Sequence, residues 1–177
     1  MKRFLPFAAI GSLVLLAFTC EREYTGPDID FGPGAGLTYR DAQGKSFRFQ
    51  DPTDWTSDST WNEQELSRTA FPIATNGPQQ LGAVSQSLAY PNPGQAGQVN
   101  WHFKLSSAAP CPCHIYAQLV DKRYYQEDVY AADLAAGDSI QFAPKAYNPG
   151  QLYRLYYLLY NDKGMVYKGH GDLRFTP

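Results

Sequence analysis

Two thiols and an imidazole stand within four residues of one another, in Cys111-Pro112-Cys113-His114. Thiolates are soft ligands, so Cys111, Cys113 and His114 form a candidate metal site for Cu(I) or Zn(II). A closed zinc site needs four ligands, and His102, on a neighbouring strand, is a further donor. The alternative is a Pro-stiffened turn whose thiols are free or joined in a disulfide between near-adjacent residues.

Asp51, Asp54 and Asp58 crowd one loop, with Glu63 and Glu65 close behind. Such hard oxygen ligands could hold Ca²⁺, but the spacing lacks the alternating acids and central Gly of an EF-hand loop. A solvated loop that uses Asp for turns and caps accounts for the same residues. Tyr116, Tyr156 and Tyr160 are the candidate ligand-binding residues, able to stack on sugar rings, with Tyr124 and Tyr125 as further exposed candidates; the alternative is ordinary packing. No Gly-x-Ser-x-Gly or His-Glu-x-x-His occurs. His102, His114 and His170 fall at polar strand positions or in a turn, where solvent is the expected neighbour. An enzyme is therefore not expected, and neither a catalytic residue nor a cofactor is assigned.

The elements that must position these groups read as β-strands. Val99, Trp101, Phe103 and Leu105 alternate with Asn100, His102 and Lys104, the period of a strand with one buried face. Ile115, Ala117 and Leu119 mark a second strand, and Ile140 with Phe142 a third after the turn Ala136-Gly137-Asp138. Leu152 to Tyr160 is a long strand apolar on both faces. Asn161-Asp162-Lys163-Gly164 turns it into Met165-Val166-Tyr167, and Gly171 opens a last strand through Leu173 and Phe175. Short strands at this spacing predict a sandwich.

Upstream, 45–50 offers a strand with Phe47 and Phe49 on one face. Thr60-Trp61-Asn62-Glu63 has the form of a capping box, which predicts a short helix over about residues 60–68. The outward face of the long strand, Tyr156, Leu158 and Tyr160, needs a cover, and the 45–80 segment with Trp55 and Trp61 is the expected one.

The N-terminus carries a targeting signal. Lys2 and Arg3 precede an apolar run of 15 residues, Phe4 to Phe18, which ends in Ala17-Phe18-Thr19-Cys20. A helix spanning the hydrocarbon core needs about 20 apolar residues, so a cleaved signal peptide is the expected form. Its end resembles the lipoprotein signals of bacteria, in which the cysteine becomes the lipidated first residue. The resemblance implies lipidation at Cys20, with Cys111 and Cys113 left as an even pair in an oxidising compartment.

Removal of residues 1–19 takes Lys2 and Arg3 from the 15 basic residues, leaving 13 against 17 acidic ones, a net charge of −4. That balance excludes nucleic acid as an expected partner, since phosphate binding needs clustered Lys and Arg. Aromatic residues make up 15% of the chain and charged residues only 18%, a composition that favours an all-β domain. Gly and Pro are dense over 20–44, which predicts a flexible tether. The expected organisation is a signal peptide over 1–19, the tether over 20–44, an N-terminal extension over 45–88 packing on the sandwich, and the sandwich over 89–177.

The second half carries a further signature. Ala89-Tyr90-Pro91-Asn92-Pro93 opens it, Leu134-Ala135-Ala136-Gly137-Asp138 precedes a strand, and Gly150-Gln151-Leu152-Tyr153-Arg154-Leu155 leads into the Tyr-rich strand. Asp162-Lys163-Gly164 and Gly171-Asp172-Leu173 close it. This order resembles the C-terminal sorting domain of type IX secretion cargo in Bacteroidetes, and is similar to the Ig-like domain of flagellar hook-capping proteins. The resemblance implies an Ig-like antiparallel β-sandwich of about seven strands, with one short helix in the extension before it.

Together these readings give a lipid-anchored cell-envelope protein, held at the membrane through Cys20 and expected at the outer membrane. Its expected role is non-catalytic, structural or in protein interaction with an envelope partner. A glycan- or metal-binding surface module, or an accessory factor of type IX secretion, is the alternative.

Overall fold

A computed structural model describes residues 26–32, 36–145 and 148–177. The expected signal peptide and Cys20 lie outside them. Eight strands form two sheets: β1 (Val84–Tyr90), β2 (Gly94–Gln95), β3 (Asn100–Leu105), β4 (Cys113–Asp121), β5 (Gln126–Leu134), β6 (Ser139–Phe142), β7 (Leu152–Asn161) and β8 (Gly164–Thr176). One sheet runs β1-β3-β6 and the other β2-β8-β7-β4-β5. The chain changes sheet on either side of β2, from β3 to β4, and on either side of β6, giving an all-β sandwich. The one α-helix described, α1 (Glu63–Arg68), lies in the N-terminal extension.

Period-two patterning decides which side chains enter the core. Trp101 and Phe103 of β3 meet Tyr157 of β7, with ring centroids 5.2 and 5.7 Å away. Ile115, Ala117 and Leu119 of β4 and Leu155 and Leu159 of β7 close the same core. The turn Asn161–Gly164 sets the β7–β8 register, and Gly164 supplies the positive φ of 118° that an L side chain avoids.

Several boundaries differ from the sequence reading. The sandwich begins at Val84 rather than 89, because β1 pairs with β3 from Val84 to Tyr90. β5 was not predicted: its acids interrupt the apolar pattern. The two closing strands are one continuous strand, β8. No strand forms over 45–50; Ser46 makes only an isolated bridge to Arg40, and Phe47 and Phe49 are exposed. The capping box exists but sits two residues on, with Asn62 accepting from the Glu65 N–H and Glu65 accepting from the Asn62 N–H.

The tether expected over 20–44 is corrected for its described part. Ile29, Leu37 and Thr38 are buried. The Ile29 N–H donates to Lys122 O at 2.7 Å, and Arg40 and Asn92 exchange backbone hydrogen bonds of 2.8 and 2.9 Å. Apolar residues spaced between glycines and prolines were enough to dock this segment.

Candidate functional site

Residues 36–80 form a strap along the edge of β8 that β7 leaves unpaired. Trp55 N–H donates to His170 O at 2.8 Å, Asp58 N–H to Lys168 O at 3.1 Å, and Gln80 N–H to Val166 O at 2.8 Å. These bonds satisfy backbone groups that an edge strand would otherwise present to solvent or to another chain. Trp55 reaches the inner face, where it joins the main core. Trp61 covers the outer face with Tyr156, Val120 and Ile29. The expected cover is therefore present, though Trp55 and Trp61 lie on opposite faces.

Under the strap lies a layer of charged groups. Arg154 donates from Nε and a terminal nitrogen to both Asp172 oxygens, each at 2.8 Å. Burial disfavours the Arg154 charge, but the hydrogen bonds and charge of Asp172 outweigh it and raise the pKa. Asp54 accepts from the Asp172 N–H at 2.5 Å and the Thr38 N–H at 2.9 Å. Burial, reinforced by the Asp172 charge, pushes Asp54 up to about 7. Asp58 accepts from Trp61 Nε1–H at 2.6 Å and lies 2.7 Å from His170 Nδ1. Burial alone would lower the His170 pKa; the bond to Asp58 outweighs it, and the pKa is raised. Tyr156 donates to Glu65 at 2.8 Å, and Lys168 Nζ donates to Thr75 O at 2.9 Å while standing 5.1 Å above the Trp61 ring.

This layer corrects two expectations. The acidic loop is not solvated, since Asp51 and Asp54 are buried. His170 does not face solvent, because it pairs with an aspartate 112 residues away.

Of the two readings of the Cys-Pro-Cys-His segment, the structure has the turn with a disulfide between near-adjacent residues. Cys111 and Cys113 are joined in a disulfide with an S–S distance of 2.10 Å, so neither offers a thiolate. His114 turns to Asp133, with 2.5 Å between Nδ1 and Oδ1. Among the described residues no group of three or more His, Cys, Asp or Glu is placed to hold a metal ion.

The predicted ligand-binding tyrosines separate. Tyr156 is fully buried beneath Trp61 and cannot present a ring to a sugar. Tyr116 is partly covered and meets Phe71 edge-on at 5.7 Å. Tyr160 lies beside His114, centroids 5.2 Å apart. Of the other two, Tyr124 is buried and Tyr125 exposed.

What the sequence did not reveal is a surface cavity of about 1010 Å³ between the 74–80 loop, the cysteine turn and the β7–β8 hairpin. Cys111 and His114 line one side, Asn161 to Val166 another, and Asn76 to Pro78 a third. Asn161 Nδ2–H donates to Pro110 O at 2.9 Å, fastening the cysteine turn to the hairpin. No periodicity in 74–80 signals this wall; only the Cys-Pro-Cys-His motif pointed near it. No protein-family model matches the chain, and no curated protein matches it.

Proposed function

We propose that the chain is a lipid-anchored cell-envelope protein, attached through Cys20 at the outer membrane, whose sandwich has a structural or protein-interaction role rather than a catalytic one. The observation that carries this reading is where the acid–base groups go. Asp54, Asp58, Glu65, Arg154, His170 and Asp172 are spent inside the fold, fastening the strap to β7 and β8. Groups paired in this way hold the strap on the sandwich, which supports the structural reading. The cavity beside the hairpin is then a face available to a partner.

Labelled palmitate should enter the wild-type chain in its native bacterium and be lost in Cys20→Ser. A photo-crosslinking residue at the exposed Lys163, on the cavity rim, should capture a discrete envelope protein. Label retained in Cys20→Ser would sink the anchor, and a rim residue that captures nothing would sink the interaction role.

A further inference from the structure

We propose that the Cys111–Cys113 disulfide is an exchange site for a thiol-bearing peptide segment that docks in the cavity beside it. The inference goes beyond the anchoring and interaction role and does not depend on it.

The bridge is poorly suited to a structural task. It joins cysteines with a sequence separation of 2, and stabilisation by loop closure grows with the length of the loop closed. Both cysteines belong to one turn entering β4, so the bridge ties no two elements together.

Its sulfurs differ in access. Cys113 is 1% exposed and sits in the main core, whereas Cys111 is only partly buried and lines the cavity. An incoming thiolate can therefore reach Cys111 alone. His114 lines the same cavity with half of its side chain exposed, and Asp133 holds its Nδ1 at 2.5 Å. A carboxylate-buttressed imidazole in the same cavity as the accessible sulfur can take the proton of an arriving thiol. The apolar and Pro-lined walls, Pro78, Pro110, Pro112 and Met165, suit a peptide segment more than a small ion.

The chemistry balances within these partners. The thiolate attacks Cys111 Sγ, and a mixed disulfide forms as the Cys111–Cys113 bond breaks. The electron pair leaves on Cys113, which takes up a proton. A second thiol on the same segment then attacks the segment's own sulfur in the mixed disulfide and releases Cys111, which is protonated in turn. The segment is oxidised from dithiol to disulfide; Cys111 and Cys113 are reduced by the same two electrons. Each chain reacts once, so the exchange is stoichiometric.

The test uses the purified full chain and a synthetic peptide carrying two cysteines. One peptide disulfide should form for each protein disulfide lost. A one-cysteine version of the peptide should accumulate as a mixed disulfide that peptide mapping places on Cys111. His114→Gln should slow exchange about tenfold and move its pH profile upward. The reduced chain should keep a melting temperature within about 5 °C of the oxidised one. An adduct on Cys113, exchange only after the chain is unfolded, or loss of the fold on reduction would overturn the site. An unchanged rate and pH profile in His114→Gln would overturn the role of the imidazole.

Discussion

The Trp61 indole stands edge-on to the Tyr156 ring, with centroids 5.4 Å apart and planes at 80°. This contact explains why β7 can be apolar on both faces. Tyr157 points into the sandwich while Tyr156 points out, and the strap supplies a second, smaller core over it. Phe71 stacks on the far side of this cluster at 4.8 Å from Trp61, and Asp58 fixes the indole N–H. Trp61→Ala should therefore destabilise the whole domain by about 3–5 kcal/mol. Trp61→Phe, which keeps the ring contact and loses the hydrogen bond, should cost clearly less. Chemical denaturation of the two variants checks this, and a Trp61→Ala midpoint equal to wild type would refute it.

The sandwich was legible because β3 and β4 carry period-two patterns strong enough to fix their faces. The outward cover on β7 was legible because that strand lacks such a pattern: Tyr156, Leu158 and Tyr160 cannot all face water. What stayed hidden were long-range polar pairs. Nothing local in Asp58 points to His170, nor in Asp54 to the Asp172 backbone, because their geometry exists only once the strap lies on β8. The same holds for the cavity, whose walls come from three separated segments. The Gly/Pro-rich stretch misled in the opposite direction: its composition hid Ile29 and Leu37, which dock it.

At Gly171 the strap packs directly on β8. A Cβ there would lie 2.2 Å from Trp55 Cδ2 and 2.3 Å from its Cε3, while one at Gly82 would meet no atom within 4 Å. Trp55 has little freedom to yield, since it is buried, held at a φ of 65° and bonded through its N–H to His170 O. Gly171→Ala should cost about 3 kcal/mol or more through overpacking. Gly82→Ala should change stability by less than about 1 kcal/mol. Thermal unfolding of the pair separates the two, and equal melting temperatures would refute the packing argument.

The Arg154–Asp172 pair should show the asymmetry of buried charges. Both side chains are nearly inaccessible, at 9% and 2% exposure. Arg154→Met would strand the Asp172 carboxylate, at a cost of about 3–5 kcal/mol. Arg154→Met combined with Asp172→Leu removes both charges and should recover part of that loss. A double-mutant cycle measures the difference, and a double variant less stable than Arg154→Met alone would count against the ion pair as the source of the cost.

Stability should fall as pH rises from about 4 to 8. Burial, reinforced by the Asp172 charge, raises Asp54 from 3.8 to about 7 in the folded chain, so the native state keeps a proton that the unfolded chain has already released. The Asp54 contribution is therefore largest at low pH and is lost as pH climbs through about 7. His170 acts in the same direction. Burial would lower its pKa, but Asp58 raises it above 6.5, so its contribution is complete below that value and lost as pH passes the folded pKa. The two shifts together predict an unfolding free energy larger near pH 5 than near pH 8, by an amount on the order of a few kcal/mol. Asp54→Asn keeps an acceptor for one of the two N–H groups and should flatten the lower part of the slope. His170→Gln should flatten the upper part. Urea titrations across this range give the slope directly, and a free energy that rises with pH would show that neither group carries the shift assigned to it.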